Sequence, residues 1–264
     1  MLACAVLAAV LLLGRDGDDE TDERRAAVST YIVQVNTTQQ ALIVELERVS
    51  TTYRQLQLKP DEDPRQLERV EGAARTLRRL RSRLAELVAP TEVRTLRSRL
   101  LRLVDLQIAL ADEVAGMVRY LPVQAREARS VAAATKRLRD DLGDATTVEA
   151  QRRVFVAFEE GVRPSVARLR SATTPAIFEP SRKGEVARLT GLLLLSRQVR
   201  VALEKQDAKE IDRLFARFVQ TSASVGTTKA ERDAVIAFNK RLSAISKARS
   251  AVAAERARLD LVLR

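Results

Sequence analysis

Apolar residues recur along this chain at alternating spacings of four and three positions, a pattern typical of helices that pack against other helices. The first such stripe is interrupted at Gln39 and otherwise consists of Val28, Ile32, Val35, Leu42, Leu46, Val49, Tyr53 and Leu56. A second stripe lies within residues 65–88, before Pro90, and includes Leu67, Val70, Ala74, Leu77, Leu84 and Leu87. The pattern predicts long amphipathic helices from residue 26 onward.

The longest stripe starts near Val93 and keeps its phase on both sides of Pro122. Its members are Leu96, Leu100, Leu103, Gln107, Leu110, Val114, Met117, Leu121, Ala128, Val131, Leu138 and Leu142. A proline inside a helix costs about 3 kcal/mol unless packing compensates for it. An intervening loop would not be expected to preserve the phase, so we predict one helix that reaches Gly143 with a kink near Pro122.

Capping boxes at Thr146–Glu149, Asp207–Glu210 and Thr228–Glu231 predict the starts of later helices. The expected inward residues of these helices include Val148, Phe155, Phe158, Val162, Leu169, Leu189, Val199, Leu203, Leu214, Phe215, Phe218, Val235, Phe238, Leu242, Ile245, Val252 and Leu259. Residues 171–184 contain Pro175, Pro180 and Gly184 and predict the longest loop. Together these elements predict an all-α fold, an elongated antiparallel bundle of about six or seven long helices over residues 26–264.

Two segments of the predicted bundle resemble each other, RLRSRLAELVAP at 79–90 and RLRSATTPAIFEP at 168–180. Each precedes a leucine-rich helix. This similarity is consistent with two related halves joined by a hinge near 171–184, although two independent amphipathic helices in a chain rich in Arg and Leu explain it at least as well.

The chain opens with an uncharged segment, Met1–Leu13, which is followed by an acidic stretch within residues 15–25. As a helix, this segment would reach about 20 Å, less than the roughly 30 Å hydrocarbon core of a bilayer. It also lacks the basic region and the cleavage site of a secretory signal. The alternatives are a removed signal, a lipobox ending at Cys4, and a buried core helix. We predict a membrane anchor or uncleaved signal segment at 1–14 and an acidic linker at 15–25.

The side of the membrane on which the body lies is predicted from two opposing features. Arg15, Arg24 and Arg25 follow the apolar segment and favour a cytoplasmic body, whereas an export-like N-terminal segment favours an extracytoplasmic one. We expect a membrane-anchored protein with its body outside the cytoplasm.

The composition removes most catalytic machinery. The chain has no histidine, and Cys4 is its single cysteine, so Ser-His-Asp and Cys-His catalysis, thiolate metal sites and internal disulfides are excluded. Paired carboxylates occur at 61–63, at Asp140 and Asp141, and at Glu159 and Glu160, and we expect all of them to be solvated. We therefore predict no enzymatic activity, no metal and no cofactor.

The formal net charge of +11 predicts attraction to anionic surfaces such as phospholipid headgroups or acidic wall polymers. The densest run of cations is a candidate anion-binding surface on two adjacent helices, formed by Arg75, Arg78, Arg79, Arg81, Arg83, Arg94, Arg97, Arg99 and Arg102. The alternative is a solvated face whose aliphatic stems cover apolar surface. Nucleic acid is disfavoured as a partner because no aromatic residues interleave with these arginines for base stacking.

Two functions follow as hypotheses. The first is a non-enzymatic, membrane-anchored extracytoplasmic helical bundle that serves as a binding, sensor-like or scaffolding module, with a protein partner or self-association as further options. The second is a cytoplasmic or membrane-peripheral binder that uses the arginines of 75–102 to hold nucleic acid or anionic phospholipid. Gln39 and Gln107, polar residues in apolar stripes, are expected to fix helix register, or alternatively to line a small cleft.

Overall fold

The computed structural model describes residues 19–58, 65–223 and 228–262, and every regular element within them is helical. The elements are α1 (Asp19–Leu58), α2 (Arg65–Glu86), a 3₁₀ turn (Thr91–Val93), α3 (Arg94–Asp144), α4 (Val148–Ser171), α5 (Glu179–Glu204), α6 (Ala208–Ala223) and α7 (Lys229–Val262). Consecutive helices from α1 to α6 pack antiparallel, and α7 packs along α3. The predicted all-α antiparallel fold is confirmed.

Helix α3 is continuous through Pro122, as its unbroken apolar phase predicts. It contains 51 residues, which corresponds to about 76 Å of helix. Pro122 lies between the part of α3 that packs into one hydrophobic core and the part that packs into another. Helix α3 therefore contributes buried side chains to both cores.

The first core joins α1, α2, the N-terminal part of α3 and α7, and the second joins the C-terminal part of α3 with α4, α5 and α6. The largest fully buried side chains of the first core include Tyr31, Leu77, Leu84, Leu96 and Leu259. Those of the second include Phe155, Leu189, Leu192 and Leu214.

The connection between α4 and α5 is shorter than predicted. Helix α5 begins at Glu179, so the loop covers residues 172–178 and the second half of the predicted segment 171–184 is helical. Pro180 is tolerated because it lies in the first helical turn, where its missing N–H would have no partner. The loop packs on α3: the Phe178 ring stacks on Tyr120 at 5.7 Å between centroids.

The caps largely follow the sequence. At the start of α7, the Thr228 N–H donates to Glu231 Oε2 at 2.6 Å and the Glu231 N–H donates to Thr228 Oγ1 at 3.2 Å, which is the predicted capping box. The Glu210 N–H donates to Asp207 Oδ1 at 3.1 Å. Before α4, however, the N-cap is Thr147, whose Oγ1 accepts from the Ala150 N–H, so the helix starts one residue later than the Thr146 box implies.

Five residues of the predicted apolar stripes are exposed: Ala128, Val148, Phe215, Val235 and Leu242. In α7 the buried apolar residues recur every seven positions at Phe238, Ile245, Val252 and Leu259. This helix packs mainly against α3. A contact with essentially one helix buries a narrow stripe, which leaves the flanking apolar positions in solvent.

The predicted anchor at 1–14 lies outside the described residues, as do residues 15–18 of the acidic linker. Residues 19–25 of that linker belong to the first turns of α1. Across the described ranges, none of the helices is both long enough and apolar enough to cross a membrane. The anchor therefore stays a prediction from the sequence.

Candidate functional site

The arginine-rich surface lies on the antiparallel pair formed by α2 and α3, which are joined through Pro90 and the 3₁₀ turn. Helix α2 supplies Arg75, Arg78, Arg79, Arg81 and Arg83, and the first turns of α3 supply Arg94, Arg97, Arg99 and Arg102. The turn brings the two groups to the same end of the hairpin. It does not merge them into one surface, because several of these side chains are held by other residues.

Two arginines of α2 form ion pairs across the hairpin. Arg78 Nη2 donates to both carboxylate oxygens of Asp112, at 2.5 and 2.6 Å. Arg81 Nε donates to Asp105 Oδ1 at 2.9 Å, and this hydrogen bond with the charge of Asp105 raises the pKa of Arg81. These pairs fasten α2 to α3 and reduce the charge that the two arginines offer to a ligand.

Two arginines of α3 are also engaged. Arg97 Nη2 donates to the Ala85 carbonyl oxygen at the end of α2, where a helix leaves carbonyls without intrahelical partners. Arg99 Nη1 donates to the Ala251 carbonyl oxygen at 2.8 Å and lies 3.4 Å from Glu255, so it fastens α7. In α2, Arg79 donates to Thr76 Oγ1 at 3.1 Å and Arg75 lies 3.9 Å from Glu71.

Arg83, Arg94 and Arg102 remain without a hydrogen-bond or ion-pair partner among the described residues. Arg94 and Arg102 line a shallow groove of about 540 Å³ on α3, together with Arg97, Ser98, Leu101, Asp105 and Leu106. The Nε of Arg97 is buried with no hydrogen-bond partner in the described part of the chain. Of the nine predicted residues, the structure thus places Arg94, Arg97 and Arg102 around one opening that suits an anion.

A second polar cluster, centred on Glu159 of α4, was not predicted from the sequence. Glu159 Oε1 accepts from Ser196 Oγ at 3.0 Å and from Arg200 Nε at 3.0 Å, both on α5. Arg163 and Arg197 lie 3.9 and 3.7 Å from Glu159 Oε2. Three guanidinium groups therefore surround one carboxylate. The available sequence signal is that Glu159 occupies an inward position of the α4 stripe, four residues after Phe155.

The expectation that Glu159 is solvated is wrong, because its side chain is buried while the neighbouring Glu160 is exposed. Asp140 and Asp141 are exposed as expected, and Asp140 accepts from Lys136 Nζ at 2.6 Å. Residues 61–63 lie outside the described ranges.

Two further glutamates are buried against arginines. Glu127 of α3 is 1% exposed and accepts two hydrogen bonds from Arg168 of α4, at 2.6 and 2.9 Å. Burial would raise the pKa of Glu127, but the hydrogen bond and charge of Arg168 lower it overall. Glu255 of α7 accepts from Arg258 at 2.6 Å, and this bond lowers the pKa of Glu255. Both groups are thereby held as carboxylates.

The two polar residues of the apolar stripes lie in different surroundings. Gln39 of α1 is partly buried and accepts a hydrogen bond from Arg256 of α7. Gln107 is buried within α3. No group of three or more Cys, Asp or Glu side chains suited to a metal ion occurs among residues 19–58, 65–223 and 228–262.

Comparison of the chain with known family models, curated proteins and solved structures found no match.

Proposed function

We propose that this chain is a non-catalytic, membrane-tethered helical module whose body lies outside the cytoplasm and binds or scaffolds partners through its surface. The observation that supports the non-catalytic part of this proposal is the pairing of two buried carboxylates, Glu127 and Glu255, with arginines. General acid-base catalysis favours a group whose pKa lies near the working pH. Arginines instead lower the pKa of both Glu127 and Glu255, which suits a structural role better than a catalytic one.

The tether in this proposal is the uncharged segment Met1–Leu13, followed directly by acidic residues. Helix α1 begins at Asp19, so few residues separate the apolar segment from the folded body. Such a short spacing would hold the bundle close to the bilayer surface. Anionic lipid or an acidic wall polymer would attract a body of this net positive charge.

The proposal is tested by fractionating cells that express the full chain and by exposing intact spheroplasts to protease. We expect the full chain in the membrane fraction after alkaline washing, a variant without residues 1–14 in the soluble fraction, and digestion of the body in intact spheroplasts. A full chain found in the soluble fraction would refute the tether. Protection of the body until the cells are lysed would refute the orientation.

A second candidate function, binding of nucleic acid or anionic phospholipid by the arginine surface, is favoured by one observation. Arg94, Arg97 and Arg102 line the same groove, and neither Arg94 nor Arg102 has a partner among the described residues. Arg78 and Arg81 are held in ion pairs with Asp112 and Asp105, which weighs against a broad binding surface. The proposed anion-binding site is therefore restricted to the groove on α3.

This candidate is tested by titrating the detergent-solubilised full chain with a labelled oligonucleotide and, separately, with short-chain phosphatidylglycerol. The double substitution Arg94→Gln and Arg102→Gln is expected to weaken binding about tenfold or more, since each charge-assisted contact contributes roughly 1 kcal/mol or more. Arg153→Gln, which removes an exposed arginine of α4, is the matched control. Binding that does not weaken as salt rises would exclude a phosphate-contact mechanism.

A further inference from the structure

Helix α1 contains the longest uncharged stretch of the described chain. Residues 26–44 include no Asp, Glu, Lys or Arg, in a chain of which 31% is charged. This stretch is not simply buried. Its exposed residues are Ala26, Ala27, Ser29, Thr30, Val33, Gln34, Asn36, Thr37, Gln40, Ile43 and Val44. Solvent-facing helix surfaces normally carry charged residues, so a neutral face of this length requires an explanation.

The exposed residues of α1 form a second stripe with the same four-three alternation as the buried one. This outer stripe consists of Glu23, Ala26, Thr30, Val33, Thr37, Gln40, Val44, Glu47, Thr51 and Arg54, all of them exposed. Val33 and Gln40 each precede a buried residue, Val35 and Leu42, by two positions. Because each residue turns the helix by about 100°, the outer stripe lies nearly opposite the core stripe.

Two threonine hydroxyl groups near the middle of the outer stripe already donate hydrogen bonds within α1 and do not need water as an acceptor. Thr37 Oγ1 donates to the Val33 carbonyl oxygen at 3.1 Å, and the neighbouring Thr38 Oγ1 donates to the Gln34 carbonyl oxygen at 3.1 Å. Satisfied in this way, the hydroxyl of Thr37 can be covered at less cost than an unpaired one. Val33 and Val44 are 61% and 50% exposed, which leaves an apolar contact on either side of Thr37 and Gln40.

The outer stripe of one α1 helix is complementary to the outer stripe of a second α1 helix that runs antiparallel to it. If two α1 helices lie antiparallel with Val33 opposite Val44 of the other copy, Thr37 falls opposite Gln40, and Ala26 falls opposite Thr51. At the two ends of the stripe, the same register places Glu23 opposite Arg54. Neither Glu23 nor Arg54 has an ion-pair partner among the described residues. A parallel arrangement would instead place like charges together at both ends.

We propose that two copies of this chain associate through the outer stripe of α1, with the two helices antiparallel about a two-fold axis between Thr38 and Gln39. Each contact then occurs twice, as in other isologous interfaces. The net charge of +11 favours this choice of surface. Two such chains repel each other through most of their surfaces. The outer stripe brings them together with few charges, of which Glu23 and Arg54 face each other and Glu47 faces the uncharged Thr30.

The first test measures the dimerisation of the full chain by sedimentation in density-matched detergent. We expect a concentration-dependent dimer. The double substitution Val33→Lys and Val44→Lys should raise the dissociation constant at least about 100-fold, because it places like charges in the contact. Val88→Lys is the control, since Val88 is 89% exposed and lies outside α1. Salt should leave the dimer intact or strengthen it, because screening weakens the repulsion between cationic chains.

Two results would overturn the proposal at this stage. One is a wild-type chain that stays monomeric up to about 100 μM, a concentration at which even a micromolar complex is formed. The other is a dimer that is unaffected by the two lysines, which would assign association to another surface, including residues 1–14. Circular dichroism and the thermal midpoint of the lysine variant confirm that it is folded, as expected for substitutions at exposed positions.

The second test determines the orientation of the helices. Chains with Cys4→Ser and either Val33→Cys or Val44→Cys are treated with a short bismaleimide, separately and as an equimolar mixture. The antiparallel register predicts that the crosslinked product is mainly the mixed one, formed between position 33 of one copy and position 44 of the other. Crosslinking that is equally efficient within each separate variant would show a parallel pair and refute the register. Capture of an acidic protein in place of a second copy would refute self-association.

Discussion

The two hydrophobic cores of this chain differ in how their helices follow one another in the sequence. The second core uses the C-terminal part of α3 and then α4, α5 and α6 in order. The first core begins with α1, α2 and the N-terminal part of α3, but it is completed by α7 from the far end of the chain. Arg241 of α7 pairs with Glu113 of α3 at 2.5 Å across this long separation. The first core therefore depends on a non-local helix, and the second does not.

The cores also differ in what they bury. The second contains a cluster of aromatic rings, with Phe218 at 5.4 Å from Phe158 and 6.2 Å from Phe155 between centroids. It also includes a carboxylate, Glu159, bonded to an arginine of a different helix. In the first core, Glu255 is bonded to Arg258 on its own helix and lies 3.4 Å from Arg99 of α3. Interhelical ion pairs thus occur around both cores. Around the second, Glu159 joins α4 to its neighbour in sequence, α5, whereas around the first, Glu255 and Arg241 hold the distant helix α7 on α3.

The largest expected effect comes from weakening that docking. Leu259 of α7 is fully buried in the first core, and Leu259→Ala should reduce the free energy of unfolding by about 2–5 kcal/mol through lost apolar contact and a cavity. Hydrogen exchange of the full chain should show faster amide exchange in α1, α2 and α7, with α4, α5 and α6 changed much less.

The control for this prediction is Leu261→Ala, because Leu261 lies two residues away and is 73% exposed. It should change stability by no more than about 0.5 kcal/mol. If Leu259→Ala instead accelerates exchange equally in both cores, the second core also depends on α7. The shared helix α3 would then couple the two cores into one cooperative unit.

The next effect concerns the interhelical ion pair at the border of the second core. Arg168→Met leaves the fully buried Glu127 without its two hydrogen bonds. Loss of one partner of a buried pair costs about 3–5 kcal/mol. Because the Arg168 side chain is half-exposed, water screens part of the interaction, and we expect a loss of stability well below that range. Urea unfolding of the full chain measures the loss, and Arg153→Met, at an exposed position of the same helix, should have almost no effect.

The same pair predicts a dependence on pH. The pKa of Glu127 is lowered in the folded state, so its stabilising contribution is present above the unfolded value of about 4.3 and is lost as the pH falls through the folded value. In the Arg168→Met variant, the buried carboxylate of Glu127 has no such partner, and protonation removes the cost of burying its charge. Because burial without a partner raises the pKa of this carboxyl in the variant, the difference in unfolding free energy between wild type and variant should begin to shrink above about pH 4.3 and continue to shrink below it. A difference that stays constant under acid would show that Glu127 does not contribute through its charge.

Periodicity alone predicted individual helices well. The apolar phase around Pro122 identified α3 as continuous, and the box at Thr228–Glu231 located the start of α7. Both are local properties: the first depends on which residues lie one turn apart, and the second on an orphan N–H within three positions of an oxygen. The loop after α4 was predicted too long because Pro180 was treated as a helix breaker, although it is harmless in a first turn.

Neither the partner of each apolar face nor the burial of the charged groups could be predicted in the same way. The stripe of α7 is compatible with packing beside α6, its neighbour in sequence, yet α7 packs on α3. Glu159 follows the inward spacing of α4, but the arginine that donates to its carboxylate, Arg200, lies on another helix. For the same reason, the nine candidate arginines were grouped by sequence, whereas Asp105 and Asp112 of α3 decide which of them are paired.

The smallest predicted effect compares the caps of one helix from each core. Thr228→Ala removes the Oγ1 that accepts from the Glu231 N–H at the start of α7, and Thr147→Ala removes the corresponding acceptor for Ala150 at the start of α4. Each should cost about 1 kcal/mol. Because α7 completes the first core and α4 belongs to the second, exchange of the first-turn amides should rise in α7 alone for Thr228→Ala and in α4 alone for Thr147→Ala. If Thr228→Ala also exposes α1 and α2, fraying of α7 is enough to open the first core, and that core is held more weakly than its buried leucines suggest.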